Sequence, residues 1–133
     1  RKNMKIKLAM LENDSSYLRR VVTVFNSKFA EELEIYSFTD IDAAMVCLEE
    51  KKIDVFLASD NFKIDFNQIP KRCGFAYLVE SLDINMIDNH KAICKFQKGI
   101  HYNSHLIELR HNYEQQWHNQ CFSIHIKLTV EGY

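Results

Sequence analysis

The chain has 133 residues, a length that fits a single domain with one hydrophobic core. Hydrophobic residues make up 47% and charged residues 26%, which is the balance of a folded globular protein and excludes a disordered chain. Because 17 Lys and Arg oppose 18 Asp and Glu, the formal net charge is −1, and no basic field exists to hold nucleic acid. No apolar run approaches the roughly 18 residues of a membrane-spanning helix, so we expect no membrane insertion.

Four cysteines occur in the chain, and none of them is in CxxC spacing: Cys47, Cys73, Cys94 and Cys121. Such isolated cysteines in a strongly apolar sequence indicate buried, reduced thiols and therefore a cytoplasmic protein. A disulfide framework is the alternative interpretation.

The apolar spacing predicts alternating strands and helices along the chain. The predicted strands cover residues 5–11, 33–38, 53–58, 75–79 and 91–96. The predicted helices cover residues 17–29, capped by Ser15-Ser16, then 41–52, capped by Thr39 or Asp40, and finally 101–117. The connections 59–74 and 81–90 have weak patterns and are predicted to be loops with at most a short helix.

The last segment departs from this order of strands and helices, because residues 122–130 alternate apolar and polar over nine positions. Its apolar positions are Phe122, Ile124, Ile126, Leu128 and Val130. That pattern predicts an extra strand with one buried face. The alternating strands and helices therefore predict an α/β fold, a flavodoxin-like three-layer sandwich. Its sheet is expected to have five parallel strands with residues 5–11 at the centre, and the C-terminal strand is additional.

Ligands of open parallel sheets bind beyond the carboxyl ends of the strands. The polar residues at those ends are Glu12-Asn13-Asp14, Ser59-Asp60, Glu80-Ser81 and Lys95. This order and spacing resemble the receiver domain of two-component response regulators over residues 4–117. The resemblance implies an acidic pair that binds Mg²⁺, an Asp that accepts a phosphoryl group, a Ser or Thr, and a Lys, each at the end of a strand.

Several of these positions depart from the receiver pattern. Glu12 retains the first acid of the pair, but the second is Asn13. The acceptor position falls on Ser59, which cannot form an acyl phosphate, and a hydroxyl without an activating base is a poor nucleophile. Lys95 falls on the family lysine, and Ser81 is the only candidate for the hydroxyl. Mg²⁺ prefers charged oxygens, so we expect no metal site.

Two further expectations concern this degenerate pocket. Asp60 would rescue phosphorylation only if a one-residue slip did not turn its side chain to the other face of the sheet. A contact from Lys95 to Glu12 or Ser59 would hold one conformation permanently, without any chemistry.

Four short stretches are similar to the degenerate receivers at the N-terminus of TadZ/CpaE-type pilus-assembly proteins: residues 5–11, 33–40, 53–55 and 92–95. That resemblance implies a following ParA/MinD-like ATPase domain. The phosphate loop GxxxxGK[ST] does not occur in this sequence, so the chain does not itself contain that ATPase.

The sequence therefore favours a pseudo-receiver module that has no enzymatic activity and no cofactor and acts through protein contacts. Residues 1–117 form the receiver-like domain, and residues 118–133 form an extension that carries the extra strand or begins a linker. We expect a homodimer, and a partner from secretion or pilus machinery, with interface residues Tyr102, Leu106, Tyr113, Trp117, Ile124, Ile126 and Leu128. The alternatives are a phosphorylatable receiver that uses Asp60, and an unrelated flavodoxin-like nucleotide-binding domain or enzyme.

Overall fold

The computed structural model describes residues 5–28, 30–31, 33–81, 83–84 and 86–95. Its strands are β1 (Ile6–Leu11), β2 (Leu33–Phe38), β3 (Val55–Ser59), β4 (Gly74–Val79), β5 (Met86–Ile87) and β6 (His90–Cys94). Its helices are α1 (Ser15–Lys28), α2 (Ile41–Glu50) and a short 3-10 helix (Phe66–Gln68). The predicted helix 101–117, the predicted strand 121–130 and the domain boundary at residue 117 lie outside the described residues.

The strands form one sheet in the order β2-β1-β3-β4-β6-β5. The first five in this order are parallel to one another, which confirms the predicted α/β fold with a parallel sheet. The two-residue strand β5 adds an antiparallel edge that the sequence analysis did not predict. β1, expected at the centre, lies between β2 and β3, one position away from the middle strand.

Each face of the sheet carries its own hydrophobic layer. Because side chains alternate along a strand, Leu8 and Met10 of β1 pack with α1, whereas Ala9 and Leu11 pack with α2. All five residues of β3 are buried, as expected for a strand covered on both faces. The arrangement is a three-layer sandwich, and the two faces give neighbouring residues at a strand end different surroundings.

Polar side chains begin both α-helices. Asp14 Oδ1 accepts a hydrogen bond from the Tyr17 backbone N–H at 3.2 Å, so Asp14 caps α1, one residue before the predicted cap. Asp40 Oδ2 accepts from the Ala43 N–H at 2.9 Å, as predicted for α2. Such caps satisfy amide groups that the first helical turn leaves unpaired.

The weak third and fourth connections contain no full-length helix in their described residues, which confirms the prediction. Residues 60–73 contain only the short 3-10 helix. Residues 81–90, where we expected at most a helical turn, instead form β5 and a tight turn into β6. Asp88 and Asn89 both have positive φ, 49° and 68°, as the central residues of a type I′ hairpin turn require.

Cys47 and Cys73 are free and buried, as predicted, and burial raises the pKa of the Cys73 thiol to about 12. Cys121, and with it the disulfide alternative, lies outside the described residues. Among the helices that the structure describes, none is long and apolar enough to cross a membrane.

Candidate functional site

Four strand-end side chains share the α1 face of the sheet: Glu12, Ser59, Glu80 and Lys95. Ser59 ends β3, and the other three directly follow β1, β4 and β6. Glu12 N–H still donates to Phe38 O at 3.0 Å, and Lys95 N–H to Val79 O at 2.7 Å. The strand alternation therefore continues through these residues, which directs them to one side.

A buried ion pair occupies the centre of this site. Lys95 Nζ lies 2.7 Å from Glu12 Oε1, with only 7% and 1% of the two side chains exposed. The other carboxylate oxygen, Glu12 Oε2, accepts a hydrogen bond from the Asp14 N–H at 2.9 Å. Both oxygens that would face a metal ion are thus engaged by groups of the protein itself.

Helix α1 covers the ion pair on the solvent side of the sheet. The Lys95 Nζ lies 5.3 Å from the ring centroid of Tyr17, and the Arg20 guanidinium lies 5.8 Å from the same centroid. Both distances allow cation–π attraction. Tyr17 is 1% exposed, so the ring also excludes water from the ion pair and strengthens its electrostatic attraction.

At the end of β4, where the receiver resemblance implies a Ser or Thr hydroxyl, the side chain that reaches Lys95 is that of Glu80. Glu80 Oε2 lies 3.6 Å from Lys95 Nζ, but its side chain is 71% exposed, so water screens this second pairing. The Ser81 Oγ accepts from the Asp83 N–H at 3.1 Å and closes a local turn. The strand alternation turns Glu80, the residue before Ser81, toward Lys95.

Ser59 and Asn13 are linked through Asn61, a residue that the sequence analysis did not select. The Asn61 N–H donates to Ser59 Oγ at 3.3 Å, and its Nδ2 donates to Asn13 Oδ1 at 3.4 Å. Ser59 is fully buried and Asn13 is exposed. A loop asparagine that follows a strand by two residues is a common turn former, and this is the only signal that could have identified Asn61.

Asp60 does not join this group. It is exposed and follows Ser59 by one residue, and it lines a groove with Tyr77, a residue of the hydrophobic layer on the α2 face. Burial raises the pKa of Tyr77, and the carboxylates of Asp88 and Asp60 raise it further. Asp60 thus acts on the opposite face of the sheet, as the argument from a one-residue slip predicts.

The described residues contain no cluster of three or more His, Cys, Asp or Glu side chains that could hold a metal ion. Near the strand ends, Glu12 is paired with Lys95, Asn13 offers an amide oxygen and Ser59 a hydroxyl. A weakly charged set of this kind has little attraction for Mg²⁺.

A parallel sheet in this strand order, with a lysine and an acid meeting at its carboxyl edge, defines a receiver-type module. The family described as TadZ-like, receiver domain, matches residues 4–108. The chain belongs to this family, which confirms the resemblance drawn from its strand sequences. The alternative of an unrelated flavodoxin-like domain is therefore wrong. A comparison with curated proteins found no significant match.

Proposed function

We propose that this chain is a pseudo-receiver: a module that transfers no phosphoryl group, stays in one conformation and works through contact with other proteins. The observation that carries the proposal is the buried pair of Lys95 and Glu12. A lysine held by an internal carboxylate has no need of a phosphoryl group to neutralise it. Removal of one partner of such a pair typically costs about 3–5 kcal/mol, so the pair resists opening.

The absence of a suitable nucleophile supports the same proposal. Ser59 stands where a carboxylate would have to accept the phosphoryl group, and its Oγ already accepts a hydrogen bond from Asn61. No described base lies against this hydroxyl to activate it, since Lys95 is directed at Glu12. Asp60 has the required carboxylate but lies on the face away from Lys95.

Phosphorylation can be tested by incubating the chain with Mg²⁺ and acetyl phosphate and measuring the intact mass. We expect no added phosphoryl group. An added group that disappears in the Asp60→Asn variant would establish the alternative of a receiver that uses Asp60. Asp42→Asn is the matched control, because Asp42 is an exposed carboxylate at the start of α2 and not at a strand end.

We also propose self-association through the C-terminal segment. Residues 121–130 place five large apolar side chains on one side of a predicted strand, which together are worth several kcal/mol even when only partly buried. A strand edge with unpaired backbone groups also invites another chain. The predicted helix 101–117 adds apolar residues such as Tyr102, Leu106, Tyr113 and Trp117.

Two variants of equal charge change separate this interface from a general effect on the fold. Ile126→Asp places a carboxylate on the apolar side of the predicted strand, and His125→Asp places one on the polar side. We expect only Ile126→Asp to convert a dimer into a monomer, as measured by light scattering. If both variants keep the dimeric mass, or if the wild-type chain is monomeric, this part of the proposal fails.

The TadZ-like family suggests the setting of the module. We propose that it is the N-terminal part of a longer cytoplasmic protein, with an ATPase domain after it and a partner in pilus or secretion machinery. The coding sequence downstream of Tyr133 tests this directly. We expect a GxxxxGK[ST] loop there, and its absence would contradict the proposal.

A further inference from the structure

A second strand-end region lies on the α2 face of the sheet and takes no part in the ion pair. It is a groove of about 420 Å³ between the loop after β3 and the β5–β6 hairpin. The lining residues are Asp60, Asn61, Phe62, Lys63, Ile64, Phe66, Tyr77, Ile87 and Asp88. Both helices that would cover this region in a sheet with regular crossovers are replaced by the short 3-10 helix and β5.

Two exposed carboxylates from separate parts of the sequence border the groove. Asp60 directly follows β3, and Asp88 occupies the hairpin turn, where its positive φ fixes the backbone. Lys63 is the one cation among the lining residues. The groove therefore has an excess of negative charge, which favours a positively charged ligand.

Tyr77 gives the groove a polar group. Its side chain lines the groove although the residue is only 7% exposed, and no hydrogen bond of its hydroxyl is found within the described part of the chain. The hydroxyl itself is reached by solvent, so its oxygen can accept a hydrogen bond from a ligand. The same oxygen lies close enough to both carboxylates for them to raise its pKa.

Aromatic rings add a flat apolar surface beside these charges. Phe66 lies edge-on to Tyr77, with 6.2 Å between the ring centroids, and one of its faces is stacked on the His90 ring at 4.0 Å. Phe62 also lines the groove. Delocalised cations stack on such rings, and arginine does so more readily than lysine. Arginine also offers several N–H donors in one plane, which suits two carboxylates and a phenol oxygen.

We infer that this groove binds the guanidinium group of an arginine carried by a segment of a partner protein. The apolar surroundings favour a peptide segment over a free small molecule. Met86 is 53% exposed and Ile84 is 40% exposed, and both lie in or beside β5, next to the lining residue Ile87. An apolar side chain that flanks the arginine would cover them.

Titration of the ¹⁵N-labelled chain, residues 1–133, with three probes tests this inference. The first probe is the peptide Ac-Leu-Arg-Leu-NH₂, the second is the same peptide with neutral citrulline in place of arginine, and the third is N-acetylarginine amide. We expect saturable shifts of the Asp60, Tyr77 and Asp88 amides with the first probe. The citrulline peptide should bind about tenfold more weakly, because it lacks the charge-assisted hydrogen bonds.

The free amide tests the source of the guanidinium. We expect it to bind more weakly than the peptide, and Met86→Ser should reduce the affinity for the peptide while leaving the affinity for the amide unchanged. Equal affinity of the peptide and the amide would overturn the peptide segment as the occupant.

Three variants test the residues. Asp60→Asn and Asp88→Asn should each weaken the arginine peptide by about tenfold, and Asp42→Asn, an equal loss of charge on α2, should not change its affinity. Tyr77→Phe should weaken it by a smaller factor. Equal binding of the citrulline peptide, unchanged binding in both aspartate variants, or no saturable shift would overturn the inference. These outcomes do not affect the pseudo-receiver proposal, which rests on the opposite face of the sheet.

Discussion

Two neighbouring residues at the end of β3 lie on opposite faces of the sheet and differ in burial. On the α1 face, Ser59 is fully buried beside the ion pair of Lys95 and Glu12, whose side chains are nearly inaccessible. On the α2 face, Asp60 is exposed at the border of an open groove. The strand end on the α1 face is thus closed by the protein itself, and the carboxylate of Asp60 lies one residue away on the open face.

The difference follows from what covers each face. A full helix, α1, lies over the closed site and brings the Tyr17 ring to 5.3 Å from the lysine nitrogen. Among the described residues, the open groove is flanked by a 3-10 helix and a two-residue strand and by no longer helix. In the described residues, the two crossovers without regular helices therefore leave an accessible surface on the α2 face, whereas the strand ends under α1 are part of the core.

The largest effect is expected from Lys95→Met, which leaves the carboxylate of Glu12 buried without its cation. We expect the free energy of unfolding to fall by about 3–5 kcal/mol in urea titrations. The matched control is Glu80→Gln, which removes the exposed partner of the same lysine and should cost less than about 1 kcal/mol. Similar losses in the two variants would mean that the site is not closed.

Exchanging the two residues at the end of β3 tests the comparison directly. Ser59→Asp places a second carboxylate beside Glu12 in a buried site with one close cation, so we expect a loss of about 1–3 kcal/mol. Asp60→Ser changes an exposed residue, and stability should stay within about 0.5 kcal/mol. Equal effects in thermal or urea unfolding would show that the two positions have the same surroundings.

Cys73 reports on the core beneath the open face. Burial raises the pKa of its thiol from 9.0 to about 12, so between these pH values the folded chain holds a proton that the unfolded chain has lost. Stability should therefore decrease as the pH rises above about 9, by about 1 kcal/mol at pH 10. Cys73→Ala should lose that part of the pH dependence. An unchanged pH profile in this variant would indicate that water reaches the thiol.

A small effect is expected from Tyr77→Phe. Because the hydroxyl lines the groove and has no hydrogen-bond partner among the described residues, its removal should change the free energy of unfolding by less than about 1 kcal/mol. The control is Tyr77→Ala, which should cost several kcal/mol through the lost aromatic packing with Phe66 and Phe75. A large loss in Tyr77→Phe would place the hydroxyl in a structural hydrogen bond.

Sequence reasoning identified the parallel strands of the fold because their apolar runs and the caps at their connections are local signals. Alternation also placed Asp60 on the face away from Lys95, and a contact of Lys95 with Glu12 was one of the two anticipated. It did not choose between Glu12 and Ser59 as the partner of the lysine. That choice depends on the distances between side chains at the ends of β1, β3 and β6, and a local sequence pattern contains no information about such distances.

The hairpin of β5 and the groove were not predicted for a related reason. Two residues are too few to show a period, and the turn at Asp88 and Asn89 lacks the glycine that would mark it most strongly. The contact of Glu80 with Lys95 could have been predicted by counting alternate residues along β4. Ala76 and Leu78 belong to the core on the α1 face, and Glu80 is the next alternate residue, so its side chain points to the same face.

We propose that the receiver pocket is closed by the ion pair and accepts no phosphoryl group. An amide chemical-shift map of the wild-type chain in Mg²⁺, recorded with and without beryllofluoride, tests this proposal, because beryllofluoride mimics a phosphoryl group on a carboxylate. We predict no shifts at Glu12, Asn13, Ser59 and Lys95. Saturable shifts at these four residues would show that the pocket opens and binds the phosphoryl mimic, and would contradict a closed pocket.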